Sequence, residues 1–101
     1  MHEFDTSDLA RARDLYIEAA RGGHAGAQRQ LGQAYEFGKL TLAIDLQLAL
    51  DWYRKAAEVG NGCAQWRLAV AYEDGELDLA IDSEAARTWF QEAAQGGDRS
   101  S

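Results

Sequence analysis

Between residues 45 and 75 the apolar and small residues recur with the period of an α-helix. Ala49, Trp52, Tyr53, Ala56, Ala57 and Gly60 follow one another at steps of three and four, which lines them along one helical stripe. The alanines in that stripe mark places where another helix must come close. After Gly60-Asn61-Gly62 the spacing resumes with Ala64, Leu68, Ala71, Tyr72 and Gly75. The stretch therefore predicts two helices joined by a tight turn. No strand-like alternation persists anywhere in the chain.

The same unit recurs at a step of 37 residues. Tyr16, Tyr53 and Phe90 align, as do Ala19, Ala56 and Ala93, and Gly23, Gly60 and Gly97. Gln28 and Gln65, Leu31 and Leu68, Tyr35 and Tyr72, Glu36 and Glu73, and Gly38 and Gly75 hold the same register. A fixed period of this length with helical spacing inside it is the mark of stacked helix pairs, each burying its apolar face against its neighbours. The pattern predicts five helices, over about 9–21, 25–37, 46–59, 62–74 and 83–95. Asp8, Asp45 and Asn61 stand where N-caps are needed, because their side-chain oxygens can accept from free amides of the first turn. Glycines at 22–23, 38, 75 and 96–97 stand where helices stop. Ile44 with Ala49, and Ile81 with Ala86, are placed to form hydrophobic staples. Asp98 sits in register with His24 and Asn61, and a frayed tail is expected over 98–101.

Bulk composition narrows the function. The chain has 101 residues, 47% of them apolar, which suits one small domain with a modest core. Its net charge of −7 argues against a nucleic-acid partner, since nothing here would neutralise a phosphate backbone. The charge is uneven: residues 62–97 carry seven acids against Arg67 and Arg87, whereas residues 25–61 carry four of each sign. A single cysteine, Cys63, forms no internal disulfide framework. No segment reads as a signal peptide or membrane span, so the expected location is cytoplasmic.

At AQRQLGQAYEFGKLTLAIDLQLALDWYRKAAEVG and AQWRLAVAYEDGELDLAIDSEAARTWFQEAAQGG the chain resembles the Sel1-like repeat family, a relative of the tetratricopeptide repeat. The family pattern is Ala-x3-Leu-Gly-x2-Tyr-x2-Gly, a loop, then Ala-x2-Trp-Tyr-x-Lys-Ala-Ala-x2-Gly. Complete repeats cover 25–60 and 62–97, a half repeat covers 9–23, and 1–101 reads as one domain. The connector is one residue longer than the family's, and it lacks the family's loop glycine and proline. Gly32 becomes Ala69 in the second repeat. The resemblance implies an all-α, short right-handed superhelix of antiparallel helix pairs that acts as a scaffold for other proteins. It also implies that the second and fourth helices line the concave face.

Catalytic, cofactor and metal constellations are not legible. Cys63, His24 and His2 match no nucleophile or metal spacing, and each glycine has a helix-stop role in place of a phosphate loop. The acids from Glu73 to Glu84 read as a solvated turn with helix caps, the sharper alternative being a site for a basic peptide or cation. Trp52 and Trp89 read as packing residues. Trp66 differs, because the repeat places Arg29 at the equivalent position, and Val70 replaces Gln33 one turn later. Positions that change between repeats are free to specialise. Arg29, Gln33, Trp66, Val70, Glu73 and Asp74 are therefore the candidate partner-binding residues, with Trp66 either in the groove or folded over a neighbouring helix. The expected function is binding of a peptide or partner helix by a monomer or weak homo-oligomer. The alternative is self-association through the exposed end faces.

Overall fold

The computed structural model describes residues 6–99. Five helices follow in order: α1 (Thr6–Arg21), α2 (Ala25–Phe37), α3 (Leu46–Glu58), α4 (Gly62–Asp74) and α5 (Ser83–Arg99). Each packs on the next, and the longest dimension is 49 Å. The result is an all-α solenoid of antiparallel helices, as the 37-residue period predicts.

The caps set the limits of the three inner helices. Asp45 accepts from the Leu48 amide at 3.1 Å, and Asn61 accepts from the Ala64 amide at 2.9 Å. His24 does the same work with Nδ1, which accepts from the Ala27 amide at 3.0 Å. Both short turns between helices are alike. Gly23 and Gly60 take φ of 98° and 100°, which a side chain would strain. The next amides, of His24 and Asn61, then reach back to the Ala19 and Ala56 carbonyls at 3.1 and 3.0 Å. Gln28 and Gln65 complete the joint from the following helix. Their buried side-chain amides donate to the Ala20 and Ala57 carbonyls at 3.0 and 3.1 Å. This is why glutamine recurs at that position.

Two apolar clusters result. One gathers Ala49, Leu50, Tyr53, Ala56 and Ala57 of α3 with Ala64, Leu68 and Ala71 of α4 and Leu77 of the connector, with Trp89 against it. The other joins Ala20, Ala27 and Leu31, with Trp52 and Leu42 against it. Both tryptophans thus pack as their repeat position suggests.

Four expectations are corrected. Helix α1 starts at Thr6, so Asp8 is not its cap; it lies inside the first turn, where a carboxylate is still favourable beside the free amides. Helix α5 runs through Gly96 and Gly97 to Arg99. At Gly23 and Gly60 the chain turns because a following helix docks; a glycine costs only about 1 kcal/mol in a helix and does not stop one by itself. Asp98 accordingly lies within α5 and not at a cap. Finally, Ile44 and Ile81 are exposed and lie over Gly38 and Gly75, which leaves little of either for a staple. Phe4 and His2 lie outside the described residues. The connectors, without the family's glycine and proline, place Leu40, Thr41, Leu77 and Asp78 at φ between 55° and 63°. The same backbone path in both repeats is fixed by the Asp45 and Asp82 amides donating to the Tyr35 and Tyr72 carbonyls at 2.9 and 2.8 Å.

Candidate functional site

The candidate residues lie on α2 and α4, and one carboxylate links the two helices. Glu36 near the end of α2 accepts from the Tyr53 hydroxyl of α3 at 2.8 Å. It also receives the Arg67 guanidinium of α4, with Nε at 3.1 Å and a second, shorter contact from Nη2. Arg67 reaches on to Glu76 at 2.7 Å. Three helices therefore meet on one side chain. Burial raises the Tyr53 phenol above its ordinary value, and the Glu36 carboxylate that it donates to raises it further. The hydrogen bond to Glu36 in turn holds the Arg67 guanidinium in its charged form, against the opposing effect of burial.

Gly32 makes this joint possible. A Cβ there would stand 2.8 to 3.0 Å from three ring atoms of Tyr53, so the ring lies directly on the α2 backbone. In the second repeat Ala69 and Phe90 replace the pair, and Phe90 has no hydroxyl to tether it.

Beside the Arg67 contact, α4 carries a strip of exposed or partly covered residues at steps of three and four: Cys63, Trp66, Val70, and then Glu73 and Asp74. All four candidate residues of this helix share that strip. Trp66 is 57% exposed, yet it is not loose: its ring meets that of Phe90 on α5 edge to face, with centroids 4.8 Å apart. The indole thus rests on a neighbouring helix and still presents more than half of its surface. Val70 is partly covered, and Glu73 and Asp74 are exposed.

On α2 the equivalent strip is Gly26, Arg29, Gln33 and Phe37, with Arg29 and Gln33 both partly covered. Arg29 also lines a hollow against Leu15 and Tyr16 of α1. Phe37 was missed by the sequence reasoning. It is 57% exposed, and the Lys39 ammonium lies 5.7 Å from its ring centroid. The comparison that singled out Trp66 would have found it, because Phe37 aligns with Asp74 and so also changes class between repeats.

Cys63 is an exposed free thiol, and His24 is engaged as a cap. Among the described residues no three His, Cys, Asp or Glu side chains gather to hold a metal ion. No helix among them is long and apolar enough to cross a membrane.

The comparisons with known proteins agree with the helical repeat. The model of the Sel1 repeat matches residues 4–24, 25–61 and 64–98. A Sel1 repeat protein from Oxalobacter formigenes superposes with a TM-score of 0.75 at 34% identity, over 82% of this chain and 62% of that one. The protein c5321, a protective antigen present in uropathogenic Escherichia coli strains and displaying an SLR fold, superposes with a TM-score of 0.79 at 34% identity. That match covers 87% of this chain and 18% of the antigen. The chain thus spans less than two thirds of either structure. No curated protein matches it. Three matched repeats, and the helix pairs that they encode, place the chain in the Sel1 repeat family.

Proposed function

We propose that the protein is an interaction module that holds a peptide or a partner helix between the exposed strips of α2 and α4. Repeats of this family commonly mediate protein–protein interaction, and the residues say where this one would do so. The observation that carries the reading is Trp66. A large aromatic side chain, mostly exposed and already held in one orientation by Phe90, has little rotamer freedom left to lose on binding. Phe37 adds a second exposed aromatic on the neighbouring helix, and Arg29, Gln33 and Val70 fill the strips between. Glu73 and Asp74 continue the exposed strip two turns beyond Trp66, so the favoured ligand is apolar with a basic flank.

The test uses helical peptides selected from a display library against the intact chain. Trp66→Ala should weaken the selected peptides by about 2 kcal/mol or more, roughly thirtyfold, while the melting temperature stays near that of the parent. Arg29→Ala is measured beside it. Unchanged affinity in both variants, with the fold intact, would refute the reading.

A further inference from the structure

If the strips of α2 and α4 hold a partner, as proposed above, their charges say what kind. The ion pairs between the two helices are internal: Arg67 takes Glu36 from the first repeat and Glu76 from its own. The charges that this pairing leaves unspent are sorted by repeat. Arg29 and Lys39 stand on the first repeat, and Glu73 and Asp74 on the second. Among the described residues none of these four has an ion-pair partner. The sorting is particular to this chain's two copies of the unit, because Arg29 aligns with Trp66, Phe37 with Asp74 and Lys39 with Glu76. Phe37, Trp66 and Val70 supply the apolar part of the strips. The Lys39 ammonium, 5.7 Å from the Phe37 ring centroid, brings positive charge to the edge of that part. Of the strip residues, Gln33 alone carries a side-chain amide. An extended segment laid on Phe37, Trp66 and Val70 would therefore leave backbone amides and carbonyls without partners, whereas a helix pairs its own.

We propose that the occupant is an amphipathic α-helix of a partner protein whose two polar flanks carry opposite charge. Its apolar stripe covers Phe37, Trp66 and Val70. Its acidic flank lies toward Arg29 and Lys39, and its basic flank lies toward Asp74. A helix that is basic on both flanks would meet Asp74 well but would be repelled by the two cations of the first repeat. A helix that is acidic on both flanks would face the converse. The charges thus select the partner by the difference between its flanks and not by its net charge.

The probe is a displayed library of helical peptides of about 18 residues with one leucine stripe and with each flank free to carry glutamate or lysine. It is sorted against the intact chain. The enriched pool should carry glutamate on one flank and lysine on the other. In the strongest binder, changing the acidic flank to glutamine should weaken binding about threefold, and neutralising the basic flank should do the same. Double-mutant cycles assign the flanks. The loss at the acidic flank should vanish in Arg29→Gln/Lys39→Gln, and the loss at the basic flank should vanish in Asp74→Asn, with melting temperatures near that of the parent. A pool basic on both flanks overturns the proposal. So does a bipolar pool whose flanks show no coupling to these residues. In either case Trp66→Ala still weakens the binders if the strips are the site, which separates failure of the charge assignment from failure of the site itself. A library that yields no binder overturns both.

Discussion

Gly32→Ala sets two well-defined effects against each other. Replacing a glycine inside a helix by alanine stabilises that helix by about 0.5–1 kcal/mol. At residue 32 the added methyl would stand 2.8 Å from Cδ1, 2.9 Å from Cε1 and 3.0 Å from Cγ of Tyr53. The ring cannot swing away cheaply, because its hydroxyl is tied to Glu36, and Glu36 is tied to Arg67. Overpacking of this kind costs about 1–3 kcal/mol. The net expectation is destabilisation by about 1 kcal/mol, which is a fall of roughly 4–8 °C in melting temperature for a domain of this size. The second repeat supplies the control, since it holds Ala69 opposite Phe90 with Ala69 fully buried. Removing the tether should therefore relieve the clash. In a Tyr53→Phe background Gly32→Ala should be neutral or stabilising, giving a coupling energy of at least about 1 kcal/mol in the double-mutant cycle. Urea denaturation followed by far-UV circular dichroism reads all four proteins. If Gly32→Ala stabilises the parent, or costs the same with and without the hydroxyl, the account of the three-helix joint is wrong.

Other consequences follow from the same contacts. Ala56 is fully buried at the α3 contact, so Ala56→Leu should cost roughly 1–3 kcal/mol; an unchanged melting temperature would place that alanine at solvent. The Tyr53 phenol is raised in the folded chain, so its contribution is fully present below its unfolded value near pH 10 and is lost as pH rises. Stability should fall above about pH 10 by up to about 1.4 kcal/mol per pH unit from this group, and Tyr53→Phe should show a shallower alkaline slope in the same urea titrations. If the strips of α2 and α4 serve a partner and not a second copy, light scattering should find a monomer at low micromolar concentration; a stable dimer would favour self-association.

How far the residues alone could lead differs from element to element. The limits of α2 and α4 were legible because a cap residue begins each and a left-handed glycine ends it, and both signals are local. The C-terminal limit of α5 was not: Gly97 repeats Gly23 and Gly60, yet the helix runs through it to Arg99, and a glycine by itself costs only about 1 kcal/mol in a helix. The Glu36–Arg67 contact spans 31 positions in sequence, beyond the reach of helical spacing, and Gln30 in the matching position gave no hint of an ion pair. For the candidate site, comparison between repeats found Trp66 and Val70 on one strip. It could not decide whether the indole was buried or free, because that depends on Phe90 from another helix. Phe37 was within reach of the same comparison.

The central claim, that a partner lies across Trp66, is tested most directly by the three indole N–H signals of the intact chain. Trp52 and Trp89 are packed into the clusters, whereas Trp66 is mostly exposed. With each signal assigned by single Trp→Phe variants, a display-selected peptide is titrated to saturation. The account predicts that the Trp66 signal moves with the binding isotherm while those of Trp52 and Trp89 stay in place. Saturation without movement of Trp66 would contradict it.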